Sequence, residues 1–193
     1  MTGRAVRHSP PAKLRRGHLA DLDALLAIEH AVFTTDILSR RSFRRFLTGR
    51  NATAIVAEHG GKVAGYALVL YPPNSNLARL YSIAVAPHSG QRGVGPLLLA
   101  AAEEAARRRH RHAMRLEVHE HNTRAIARYE KSGYRLFGRR RDYYDDHADA
   151  LRFEKPLVLE PRRRSKVSPA PTDSAARIGF HGAYLGRRSR QSI

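Results

Sequence analysis

The chain has no cysteine, no tryptophan and only two methionines. Without cysteine there can be neither a disulfide nor a thiolate metal site. That composition suits a reducing compartment. Acidic side chains are also scarce. Seventeen Asp and Glu stand against 35 Lys and Arg, a net charge of +18 at pH 7. Such a surface attracts polyanions, nucleic acid and the ribosome among them, although here the charge is spread along the whole chain. No stretch approaches the roughly 18 apolar residues that span a bilayer. The opening stretch MTGRAVRHSPPAKLRRGHL is basic but has no apolar centre, so it does not read as a secretory signal. The expectation is a soluble, cytoplasmic protein with no membrane contact.

What is present suffices for a core, since 42% of the residues are hydrophobic. Arg4 to His8 reads as a short first strand, followed by the turn-rich connector PPAKLRRGHL. Residues 17 to 32 place Leu19, Leu22, Leu25, Leu26, Ile28, Glu29 and Val32 at mostly helical intervals. A shorter helix follows, with Ser39 as its N-cap and Gly49 past its end. Two runs rich in Ile, Val, Ala and Tyr flank Gly60-Gly61, the pattern of a hairpin. Leu77 to Pro87 is another strand, and the helix after it runs to about His110. Ala113 to Glu120 is again a strand. The segment NTRAIARYEKSG is a helix with Asn122 near its start and Gly133 at C′. YRLFGRRRDYY and DALRFEKPLVL close the unit as an antiparallel pair. The order β-α-α-β-β-β-α-β-α-β-β is that of one mixed α/β domain over residues 1 to 160. Residues 161 to 193 differ. They hold eight Arg or Lys, one acid and few large apolar groups. Such a tail cannot bury enough surface to offset its ordering entropy, and it reads as a basic, disordered extension.

Between a strand and an alanine-rich helix lies SGQRGVGP, Ser89 to Pro96. Glycines at a helix N-terminus let backbone N–H groups approach a phosphate closely, and the helix dipole favours the anion. Pro96 sits in the first turn, where a missing N–H costs least. The segment is neither a Walker loop nor a dinucleotide fingerprint: no Lys-Ser/Thr pair follows, and G-x-x-G-x-G does not open the fold. Alone, three glycines before a helix are weak evidence, and they fit a plain turn better than a phosphate site.

The stretches LYSIAVAP, GPLLLAAAEEA and LEVHEHNTRAIARYEKSGY, with seven loop residues between the first two, resemble the GNAT superfamily of acetyl-CoA-dependent N-acetyltransferases. Within it the likeness is to ribosomal-protein-alanine N-acetyltransferases. It covers roughly residues 4 to 158 and is strongest from Leu80 to Tyr134. It implies the GNAT fold, a mixed and mostly antiparallel sheet flanked by helices, with acetyl-CoA as co-substrate. It further implies that Gln91, Arg92, Gly93, Val94, Gly95 and Pro96 hold the pyrophosphate. Ile83, Ala84 and Val85 would pair with the pantetheine arm, and Asn122 would contact the cofactor. One position departs: Gly90 stands where Gln or Arg is usual.

Forming an amide from a thioester requires a neutral amine, hence a proton acceptor, and a donor for the departing thiolate. Glu117 lies in a strand among apolar neighbours, where a carboxylate must be paired or functional. By resemblance it is the acceptor. An ion pair with one of the many arginines is the structural alternative. Tyr129 follows twelve residues later on the next helix and by resemblance is the donor, although it also continues the apolar stripe of Ala125 and Ile126. His119, Glu120 and His121 adjoin Glu117, but they lack the helical i, i+4 spacing of a zinc site, and no metal is expected. The resemblance also implies an acceptor site walled by Phe33 and the loop after it, and by the RRRDYYDD loop, where Tyr143 or Tyr144 would hold the substrate N-terminus and Asp145 or Asp146 would attract its amine; a plain polar hairpin loop is the equal alternative there.

The reading that follows is acetyl transfer to a primary amine, foremost the N-terminal α-amine of a ribosomal or other protein. A lysine or small-molecule amine is the alternative acceptor. A basic nucleic-acid- or ribosome-binding protein that keeps the fold without activity is the alternative of another class. An inactive binder need not keep Glu117, Tyr129, Asn122 and the glycine segment together.

Overall fold

The Gly60-Gly61 pair turns with both residues at positive φ (55° and 73°), the geometry of a two-residue hairpin. It joins β2 (Ala52–His59) to β3 (Lys62–Leu70). A computed structural model describes residues 12–87, 89, 93–158 and 190–192. The remaining strands are β1 (Lys13–Arg16), β4 (Leu77–Val85), β5 (Ala113–His119), β6 (Arg135–Arg140), β7 (Ala150–Pro156) and β8 (Arg190–Ser192). The helices are α1 (Leu22–Val32), α2 (Arg40–Thr48), α3 (Val94–Arg108) and α4 (Thr123–Lys131). The sheet order is β1-β2-β3-β4-β5-β7-β6, with β8 added on β4. Every pairing is antiparallel except β4–β5 and β4–β8. The mixed, mostly antiparallel α/β fold is therefore as expected.

Two apolar layers enclose the sheet. On one face α1 and α2 lay Leu22, Leu25, Ile28, Phe43, Phe46 and Leu47 over Tyr66, Leu68, Tyr81 and Ala84. On the other, α3 and α4 lay Val94, Leu98, Leu99, Ala102, Ala125 and Tyr129 over Leu80, Ile83, Met114, Leu116 and Val118. The caps match the sequence reading. The Ser39 side chain accepts from the Ser42 N–H at 3.2 Å, and Asn122 accepts from Ala125 N–H at 3.1 Å. Gly133 follows α4 at φ 87°.

The N-terminal end differs from expectation. The first described strand is Lys13–Arg16, inside the expected connector, while Arg4–His8 lies outside the described residues. α1 begins at Leu22, after a 3-10 turn at Leu19–Asp21, and not at residue 17. The cause is Arg15. Its guanidinium forks onto both Asp21 oxygens (2.8 and 2.7 Å) and reaches Glu58 on β2 at 2.9 Å. That fork ties β1 to the sheet edge, and it holds the Asp21 carboxyl below its usual range. The expected tail also differs at one place. Residues 159–189 lie outside the described residues, but Arg190–Ser192 pair in parallel with Ser82–Ala84.

A second buried carboxylate closes the α1–α2 layer. Glu29 is fully buried; its Oε1 accepts from the Leu38 N–H at 2.7 Å, and its Oε2 accepts from the Tyr66 hydroxyl. Tyr66 also lies 3.1 Å from Ser82 Oγ. This network pins the segment after α1 to β3 and β4. Glu29→Ala should lower stability by on the order of 2–3 kcal/mol, because it strips partners from a buried N–H and a buried hydroxyl. Urea denaturation would read this as a lower midpoint at constant slope. A midpoint unchanged from the parent would show that the network does not brace the loop.

Candidate active site

The site is built where β4 and β5 part company. The two strands pair only at Leu77↔Ala113, Ala78↔Met114 and Arg79↔Arg115. β3 pairs Leu68 with Ser82 but Val69 with Leu80, so Tyr81 is an extra residue in β4. Such a bulge bends its strand and raises local twist. It falls two residues past the last β4–β5 pair. Beyond it β4 diverges from β5, while β5 continues against β7 through His119↔Ala150.

Alternation then sorts the side chains. Leu116 and Val118 enter the α3–α4 layer, so Glu117 points to the opposite face. It is 6% exposed. Arg79 Nε donates to its Oε2 at 3.0 Å, and Arg152, its cross-strand neighbour on β7, brings Nε to within 3.7 Å of Oε1. The ion pair that competed with the catalytic reading of Glu117 is thus present. Arg79 also reaches into the β6–β7 loop. Its Nη2 donates to the Tyr143 hydroxyl at 2.8 Å. Glu117 and Tyr143 oppose the burial of the Arg79 guanidinium and together keep its pKa above the usual arginine value.

The loop residues named from the sequence converge here. Tyr143 and Tyr144 are both buried, with rings perpendicular at 5.2 Å. Tyr144 packs on His119 at 4.8 Å, and His119 Nε2 lies 2.9 Å from Asp146 Oδ2. Burial raises the Tyr144 pKa, and Tyr143, Glu117 and Asp36 add to the effect. Asp36 belongs to the loop after Phe33, which therefore comes close enough to Tyr144 to act on its hydroxyl. Phe33 itself caps α1 through its N–H to Glu29 O and packs at the edge of the α1–α2 layer. Among the described residues no cluster of His, Asp or Glu could hold a metal.

Tyr129 stands on the other side of the sheet. It is fully buried on α4, against Tyr134 (5.6 Å) and Phe153 (6.5 Å). Its hydroxyl has no hydrogen-bond partner among the described residues. Burial, with a smaller push from Tyr144 and an opposing pull from Arg128, raises its pKa well above 10.0. The group is a phenol that keeps its proton and has nowhere within the described protein to donate it. An unsatisfied buried hydroxyl suits a ligand atom, and this supports the fit of a thioester there.

Gly93 caps α3 at φ 88°, with open space where a Cβ would stand. The N–H groups of Gly93, Val94 and Gly95 open the helix, and Pro96 supplies none. Gln91 and Arg92 lie outside the described residues. Asn122 Oδ1 is engaged in capping α4. The residues that sequence reasoning missed are Arg79 and Arg152. Their signal was faint: two arginines within strands, both pairing with the one carboxylate of Glu117 far along the chain.

Residues 22–134, more than half of the chain, match the acetyltransferase (GNAT) family. The chain belongs to that family, and it is an N-acetyltransferase. Enzymes of the family use acetyl-CoA as co-substrate. A Bacillus subtilis (strain 168) relative, provisionally named a ribosomal protein bS18-alanine N-acetyltransferase, is 29% identical over 141 residues. The match spans 72% of this chain and 92% of the relative. The crystal structure of the ribosomal-protein-S18-alanine N-acetyltransferase from Escherichia coli superposes with a TM-score of 0.70 at 26% identity, covering 80% of this chain and 99% of that one. The ribosomal-protein-alanine N-acetyltransferase from Brucella melitensis gives a TM-score of 0.67 at 29% identity, over 75% and 99%. No helix among the described residues is long and apolar enough to cross a membrane.

Proposed function

We propose that this acetyltransferase modifies the α-amine of a protein N-terminus, with Glu117 as proton acceptor and Tyr129 as proton donor. The observation that carries the reading is the placement of these two groups. Glu117 lies on β5 two residues past its last pairing with β4, and Tyr129 is buried in the α3–α4 layer with a hydroxyl that has no hydrogen-bond partner among the described residues. An acceptor approaching from the α1–α2 face meets Glu117, Tyr143 and the loop bearing Asp36. A thioester approaching from the α3–α4 face meets Tyr129. The names of the similar bacterial enzymes support an N-terminal alanine as acceptor.

Acetyl-CoA supplies the acetyl group in activated form. Gly93, Val94 and Gly95 offer backbone N–H groups to its pyrophosphate, and Gln91, Arg92 and Pro96 complete the proposed loop, Pro96 without a donor of its own. Ile83, Ala84 and Val85 offer a strand edge to the amides of its pantetheine arm, and Asn122 is the further cofactor contact in this proposal. Glu117 takes the proton that the amine sheds as it forms the amide bond. Arg79 and Arg152 fix the carboxylate in place. Tyr129 gives its proton to the sulfur that leaves. Phe33, Tyr143 and Tyr144 wall the acceptor and keep water from the gap. A cytoplasmic place of action suits such a substrate, and the +18 charge suits a polyanionic neighbourhood such as the ribosome.

The test is a set of initial rates with acetyl-CoA and three acceptors. These are an Ala-initiated peptide, the same peptide with its N-terminus blocked and a lysine inside, and a small polyamine. The reading predicts turnover of the first alone. Preference for the blocked peptide or the polyamine would overturn it.

The glycine cradle has its own test. Gly93→Val should raise the acetyl-CoA Kd by about tenfold or more, since a β-branched side chain resists the positive φ and crowds the phosphate's approach. The fold is monitored by circular dichroism. Unchanged affinity would make Gly93 a plain turn residue.

A further inference from the structure

The edge of β4 that β5 abandons after Arg79 is occupied further along by β8. Ser82 pairs with Arg190, Ile83 with Gln191 and Ala84 with Ser192, all in parallel. β3 holds the opposite edge of β4 from Arg79 to Val85, so β8 lies on the β5 side, in the gap, and it approaches β5 as well. Residues 190–192 therefore use the backbone edge at Ile83 and Ala84 that the proposed function gives to the pantetheine arm. A strand edge has one set of N–H and C=O groups to offer, and two occupants exclude each other.

We propose that the segment 190–192 is an internal plug of the cofactor groove, competing with acetyl-CoA for the β4 edge. The inference rests on the functional reading above. Three residues in parallel pairing make few hydrogen bonds, so the plug is displaceable. It tunes affinity and does not block the enzyme. It also gives the tail a role that its composition hides: whatever draws residues 190–192 away from β4 would free the groove.

The test is calorimetric titration of acetyl-CoA into the full chain, into a chain ending at residue 189, and into full-length Gln191→Pro, since proline breaks ladder pairing. If the groove is open a tenth to a third of the time, both variants should bind roughly three- to tenfold more tightly than the full chain. Charge works in the opposite direction, because removing Arg190 lowers the attraction for an anionic ligand, so the sign of the change discriminates. Equal Kd in all three proteins, or weaker binding in the variants, would overturn the plug while leaving the cofactor site standing. An unchanged Kd with a lowered KM for the acceptor peptide would also overturn it, by placing the segment in the acceptor's path. Absence of acetyl-CoA binding in all three would overturn the functional reading, and the plug with it.

Discussion

Tyr129→Phe should lower kcat by roughly a hundredfold or more, the usual range for loss of a general acid. The Kd for acetyl-CoA should stay within about twofold, a small fraction of the binding free energy. The variant should also be at least as stable as the parent. The ring fills the same space against Tyr134 and Phe153, and the lost hydroxyl has no partner among the described residues. That combination is informative because a merely structural tyrosine would show the reverse, with activity kept and stability changed. The pH dependence follows from the raised pKa. A phenol held above 10.0 stays protonated between about pH 7 and 9. Its ionisation should therefore put no falling limb on the kcat profile in that range. Single-turnover kinetics with thiol release as the readout would check both points. Normal turnover in Tyr129→Phe would sink the donor assignment.

Glu117→Gln should lower kcat by about 10²–10⁴-fold, because the amide cannot take up the proton. It should also cost about 1–3 kcal/mol of stability, since Arg79 and Arg152 lose their carboxylate. The figure stays below that for a fully buried pair, because the two arginine side chains keep 26% and 36% of their exposure and Arg79 keeps Tyr143. Stability and chemistry separate in the double variant with Arg79→Met. Removing both charges should recover part of the lost stability and none of the rate. Recovery of the rate would mean that Glu117 serves only to balance Arg79.

Local signals in the sequence were the ones that held. Ser39 with Gly49, and Asn122 with Gly133, mark helix ends because capping depends on residues within a turn of each other. Gly60-Gly61 marks a hairpin for the same reason. The LEV-to-GY stretch was legible as a strand and its following helix, the elements that carry Glu117 and Tyr129. Tyr143 and Tyr144 were named from the family resemblance, and the structure carries them to Glu117. Arg79 was not legible. Its role depends on the parallel β4–β5 register and on a bulge at Tyr81, and neither leaves a periodic trace. The strand at Lys13–Arg16 was missed because four mostly exposed residues, KLRR, show no apolar alternation, and their pairing is decided by Arg15 reaching Asp21 and Glu58. β8 was invisible for a related reason. Its partner is a strand edge about a hundred residues away, and three polar residues carry no strand signal.

The most direct test of the account is a calorimetric titration of the full chain with acetyl-CoA at low and at high salt. A built site at the β4–α3 junction predicts saturable one-to-one binding that weakens only modestly as salt rises, because backbone donors and a buried groove carry most of it. No binding, or binding that vanishes at high salt, would contradict the account. It would leave a basic protein of this fold that attracts anions through its charge alone.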